Sequence, residues 1–142
     1  MKYRFPNNHP LIFILFVVFF VSCGQKSLDD AIIGEWKVEK VDFPEMDIAP
    51  SVIERFSTEM LSSVYTFKED GKFNLRSGLI PDGVDGTWRV NEEKGELFIE
   101  YTAAGQYFKS TYQIKMMDEN TLLFKQKLGG DLGSLEAELK RN

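Results

Sequence analysis

The sequence has 142 residues, with 17 basic and 22 acidic side chains, one histidine and one cysteine. The histidine, His9, and the cysteine, Cys23, both lie near the N-terminus, so the body of the chain has no imidazole or thiol. That excludes Ser-His-Asp and Cys-His nucleophiles, zinc sites built on His or Cys, dithiol redox pairs and disulfides, and the net charge of −5 argues against non-specific nucleic-acid binding.

Residues 1–22 read as an export signal. Lys2 and Arg4 make a basic start, and 11–21 is an unbroken apolar run of eleven residues. A membrane-spanning helix needs about 20 apolar residues, whereas the core of a signal peptide needs about 7 to 15. The run ends in Val21, Ser22, Cys23 and Gly24, which resembles a lipobox: an apolar residue, a small residue, then the cysteine that is diacylated and becomes the first residue. The resemblance to bacterial lipoproteins implies lipid attachment at Cys23. With Gly24 rather than Asp after the cysteine, it also implies a cell-envelope protein anchored in the outer membrane and facing the periplasm. Residues 23–32 read as the lipidated cysteine and a polar tether carrying Asp29 and Asp30. Its nine residues after Cys23 span at most about 30 Å when extended. With the signal removed, 15 bases stand against 22 acids, a net charge of −7.

Residues 33–142 read as one all-β domain. Strand-like runs occupy 33–43, 63–68, 72–77, 84–91, 95–102, 106–116, 120–128 and 134–141. From the second run onward they recur about every 8 to 12 residues, as in a sandwich or barrel. Gly, Asp and Asn break the runs, as at Glu69-Asp70-Gly71 and Asp118-Glu119-Asn120. Only 48–64 has a helical period, with Val52, Phe56 and Met60 four apart and Pro50 suited to a first turn.

Alternation defines an inner face. It includes Trp36 and Val38, Tyr65 and Phe67, Phe73 and Leu75, Trp88, Ile99 and Tyr101, Phe108 and Tyr112, Phe124, and Leu135 to Leu139 at every second position. Val41 and Phe43 have the opposite parity to Trp36, which predicts a bulge near Glu39 and Lys40. Leu132, Leu135 and Leu139 also fit a helix, but an eighth strand closes a barrel that seven would leave with an open edge.

The ordered set Gly34-Glu35-Trp36, the helix, Tyr65-Thr66-Phe67, Asp70-Gly71-Lys72-Phe73, Gly86-Thr87-Trp88 and a short last strand resembles the lipocalin-like domains of small Gram-negative lipoproteins. The resemblance implies an eight-stranded antiparallel up-and-down barrel with one amphipathic helix between strands 1 and 2. It further implies that Trp36 packs at the closed end against an arginine of the last strand, here Arg141.

In such a barrel the helix and the loops 78–83, 103–105 and 129–133 share one end, and the compact charged turns share the other with the N-terminus. The inner face then either lines a cavity or fills itself. As a cavity it would offer Phe67, Phe73, Trp88, Tyr101, Ser110 and Tyr112 to a small hydrophobic ligand, the hydroxyls orienting it, with the helix as a lid. As a packed core it would leave Phe56, Met60, Leu79 and Ile80 at the mouth to dock an envelope protein. The expected function is therefore a non-enzymatic binding module, with an interaction or assembly factor as the alternative. No metal or cofactor is expected: Asp82 and Asp85 lack the further ligands of a calcium loop, and alternation places no carboxylate on the inner face. Lys109, Lys115, Lys125 and Lys127 fall on outward positions, as a solvated strand face does.

Overall fold

A computed structural model describes residues 26–44, 46–129 and 132–142. The export signal, Cys23 and Gly24 lie outside the described residues. Eight strands run in sequence order round a closed antiparallel barrel: β1 (Gly34–Asp42), β2 (Val64–Phe67), β3 (Lys72–Arg76), β4 (Val84–Asn91), β5 (Glu96–Ala103), β6 (Gln106–Asp118), β7 (Thr121–Lys127) and β8 (Ser134–Arg141). Helix α1 (Leu28–Ile32) precedes β1, and α2 (Pro50–Leu61) lies between β1 and β2. Pairing of β1 with both β2 and β8 closes the sheet and removes its edges.

The expected bulge is present. Val38 pairs with Leu139 and the next pair is Lys40 with Glu138, so Glu39 is the extra residue. The insertion reverses parity and turns Val41, opposite Ala137, back toward the interior. The last run is a strand, because Leu135, Ala137 and Leu139 bury one face of it in the barrel.

Helix α2 begins at Pro50 and stops three residues short of the expected end. The Ser62 and Ser63 hydroxyls both bond the Glu59 carbonyl, and the Ser62 N–H caps the last turn, so local serine bonding competes with a further turn. The helix packs against β1, but none of its residues is buried. Met60 reaches the core, while Val52, Phe56 and Leu61 stay exposed. The expected lid is therefore a flank on one side of the rim.

Leu28–Ile32, placed in the tether by their polar surroundings in the sequence, are helical instead. Ser27 caps the first turn by accepting from the Asp30 N–H at 3.2 Å, and Asp29 and Asp30 lie where the helix dipole favours acids. Leu28 packs against the core and Ile32, one turn on, is fully buried in it. Helix α1 thus plugs the end of the barrel that carries the tight charged turns.

Candidate functional site

The plugged end is tied together by one arginine. Arg141 is the register partner of Trp36, and its Cζ sits 4.3 Å from the centre of the indole. Nη1 and Nη2 donate to the Ile33 and Ala31 carbonyls, both at 2.7 Å, and the Trp36 indole N–H donates to the intervening Ile32 carbonyl at 2.7 Å. Three successive carbonyls at the end of α1 are satisfied in this way. Gly34 has φ +134°, and a Cβ there would lie 2.5 Å from Arg141 Nη1, so the passing guanidinium explains the glycine two residues before Trp36.

Trp36 is sealed from solvent and Arg141 is fully engaged, so the pair is a structural lock. An open groove beside it, between α1 and the turns, is lined by Lys26, Asp30, Glu69, Glu92, Asp118 and Glu119 together with Arg141. Its walls mix these charged groups with apolar Leu28, Ala31, Ile33 and Met116, and it opens widely to solvent.

Above the lock the barrel is filled. Phe67, Phe73 and Trp88 are all buried. Phe67 meets Phe73 and Trp88 at ring distances of 5.5 Å each, and the Trp88 indole N–H donates to the Lys68 carbonyl at 3.0 Å. These three expected ligand-lining residues are packed on one another and offer little free surface. Higher up, Tyr65 on β2 meets Phe124 on β7 edge-on at 5.6 Å. Strands β1 and β8 separate those two in the barrel order, so this contact crosses the lumen and forms a floor.

The open end differs. Tyr101, Ser110 and Tyr112, also expected ligand contacts, are brought together on the inward faces of β5 and β6 and are half-buried. Tyr101 stacks on Phe108 at 5.1 Å and leans on Phe73 at 6.2 Å, and Tyr112 packs on Phe124 at 5.0 Å. Gly86 makes the second of these possible. It lies between Phe73 and Tyr101 in the pairing, so the two rings meet over a residue with no side chain.

Inward-facing Leu75, Val84 and Phe108 stay partly open to solvent, Phe108 by 38%, and complete a shallow apolar cup. Burial pushes the phenols of Tyr65, Tyr101 and Tyr112 above their ordinary value, Tyr65 most of all. Mutual proximity adds to the effect at Tyr65 and Tyr112, and a hydrogen bond from Ser110 moderates it at Tyr112. Tyr65 is the site residue that the sequence does not single out. Alternation places it inward but does not say how near the mouth it stands.

The rim carries the remaining candidates. Glu59 Oε1 accepts from the Leu79 N–H at 3.1 Å, and Ser62 Oγ accepts from the Gly78 N–H at 2.8 Å, so the end of α2 is tied to the β3–β4 loop. That brings Phe56, 56% exposed, and Leu79, 80% exposed, onto one rim. Met60 and Ile80 are half-buried, Met60 against the core. Asp82 is exposed and Asp85 accepts from Asn74 at 2.9 Å, while Lys109, Lys115, Lys125 and Lys127 are exposed on the outer face.

No protein-family model matches the chain, and no curated protein matches it. Among solved structures, it is similar to a crystal structure of a DUF4847 family protein from Bacteroides vulgatus, with 16% identity and a TM-score of 0.48, over 77% of this chain and 92% of that one.

Proposed function

We propose that the protein is a lipid-anchored, lipocalin-like binding module of the cell envelope that holds a small hydrophobic ligand at the open end of its barrel, without catalysis. One observation carries the ligand site: below the Tyr65–Phe124 contact the barrel is filled, and above it apolar walls with phenol and serine hydroxyls stay partly open. Apolar walls with a few convergent polar groups are the usual composition of a small-molecule site. The shallow cup admits the tip of a ligand, whose remainder is covered by Phe56, Leu79 and the rim.

Anchoring rests on the Val21-Ser22-Cys23-Gly24 pattern. Helix α1 enters the barrel at the plugged end, so an anchor there would leave the mouth pointing away from the membrane, into the periplasm for an outer-membrane protein. Mass analysis of protein extracted from membranes checks this part. The mature chain should begin at a diacylated Cys23, and Cys23→Ser should release the protein from the membrane fraction.

Native mass spectrometry on a lipid-free form beginning at Gly24, purified without detergent, tests the ligand site. A mass excess lost on denaturation supports the reading. A clean mass that apolar probes do not change overturns it and favours a second reading, in which the rim docks an envelope protein. The exposure of Phe56 on α2 and of Leu79 on the loop tied to the end of that helix favours that alternative. Under it, Leu79→Asp and Phe56→Asp abolish a specific partner while leaving stability within about 0.5 kcal/mol, as surface substitutions do.

A further inference from the structure

We infer that the open end grips its ligand by a leading uncharged oxygen, a carbonyl or hydroxyl, bonded to the Tyr65 hydroxyl, and rejects a leading carboxylate or phosphate. This inference rests on the ligand reading above and names the chemistry of the buried tip.

Tyr65 is only 4% exposed, and its hydroxyl has no hydrogen bond among the described residues. Yet no fully sealed side-chain polar atom among those residues lacks a partner. The hydroxyl therefore keeps a little exposure, and its electrostatic coupling to the phenols of Tyr101 and Tyr112 puts it on the cup side of the ring. The ring beneath it is held at 6.0 Å from Phe73, 5.6 Å from Phe124 and 6.4 Å from Phe67, so the donor is pre-positioned and little freedom is lost on binding.

The surroundings set the charge preference. The inward residues of the cup, Leu75, Val84, Tyr101, Phe108, Ser110 and Tyr112, are all uncharged, while Arg76, Lys109 and Lys125 are exposed on the outside of the barrel. An anion pushed to the floor would lose its hydration with no cation to replace it, whereas a neutral oxygen needs only a donor. Burial also keeps the Tyr65 phenol protonated across the physiological range, so it remains a donor.

Titration by NMR of the lipid-free mature protein with acetophenone, ethylbenzene and benzoate at pH 8 tests this. These probes are similar in size and differ at one end. The expected result is that acetophenone binds at least about 10-fold more tightly than benzoate. In Tyr65→Phe, acetophenone should weaken about 5-fold and ethylbenzene should stay unchanged, as loss of one hydrogen bond requires.

Benzoate binding as well as acetophenone, or a Tyr65→Phe change that weakens acetophenone and ethylbenzene equally, overturns the inference while leaving the ligand site standing. Binding of none of the three overturns the ligand site itself. If Tyr65→Phe does not fold, the acetophenone-to-benzoate ratio of the unaltered protein decides the matter alone.

Discussion

Arg141 on the last strand lies directly opposite Trp36 on the first and holds its guanidinium 4.3 Å from the centre of the indole ring. The same group donates to two carbonyls of the segment entering β1, so one side chain joins the barrel seam to α1. Arg141→Ala should cost about 3 kcal/mol in urea unfolding, since hydrogen bonds to charged groups are worth about 1.5–3 kcal/mol and a cation–π contact adds to them. Arg141→Lys keeps the charge but loses the fork, and should recover less than half of that. Equal stability of the Ala and Lys variants to the unaltered protein would sink the role assigned to the lock.

Gly86 offers a second test at the other level of the barrel. A Cβ there would run into the Glu100 carbonyl oxygen and the Cβ of Tyr101 on the neighbouring strand. Gly86→Ala should therefore push β4 from β5 and cost more than about 2 kcal/mol, the range of overpacked cores. Gly105 is the control. It has φ +74°, and a Cβ added there would meet nothing within 4 Å, so Gly105→Ala carries only the backbone cost of a left-handed turn, about 1 kcal/mol. Thermal unfolding of both variants ranks them, and a reversed order would refute the packing argument.

The two levels also show what the sequence discloses and what it hides. Alternation reveals which side of a strand a residue occupies, because the side-chain period is fixed at two, and so it finds the inner face and the bulge near Glu39, while Arg141 is singled out by the resemblance. It does not reveal height along the axis. Strands in a barrel are tilted and staggered, and height depends on the register between neighbours. By alternation Phe67, Phe73 and Trp88 are equivalent to Tyr101 and Tyr112, yet they lie beneath the floor, while Tyr65 stands at its edge. Helix α1 is hard to see in the sequence for a different reason. Five residues are too short to show a period, although Ser27, two acids and the Leu28–Ile32 spacing form a legible start signal.

Asp29, in the first turn of α1, carries a pH-dependent liability. Partial burial, then the nearby Glu92 and Asp30, raise its carboxyl above the ordinary value of 3.8. A raised carboxyl pKa means that folding favours the protonated form, so stability falls as pH rises from 3.8 through the raised value. Asp29→Asn removes that penalty. It should raise the Tm at pH 7, give no gain at pH 3, and lose part of the gain in about 0.5 M salt, where exposed charges are screened. A variant that stabilises equally at both pH values would place the effect elsewhere than in this charge.

The phenols predict how the fold fails in base. The chain after residue 22 has four tyrosines, Tyr65, Tyr101, Tyr107 and Tyr112, and all four are pushed above the ordinary value of 10.0. At Tyr107 the cause is a hydrogen bond to the Glu100 carboxylate, and at the other three it is first of all burial. Folding thus favours the neutral phenols. Their contribution is complete below pH 10.0 and is withdrawn as pH climbs above it, because the unfolded chain ionises there while the folded one resists.

Tyr65 is the extreme case, since a phenolate at the base of the cup has little water and no cation to stabilise it. Absorbance at 295 nm and far-UV circular dichroism, followed together from pH 8 upward, should show the last phenol ionising only as the β signal collapses. Tyr65→Phe, which keeps the ring and removes the ionisable group, should move that collapse to higher pH. Ionisation of all four phenols near pH 10 with the barrel signal intact would mean that the Tyr65 hydroxyl is as well hydrated as a surface phenol, and that no floor separates the cup from the core.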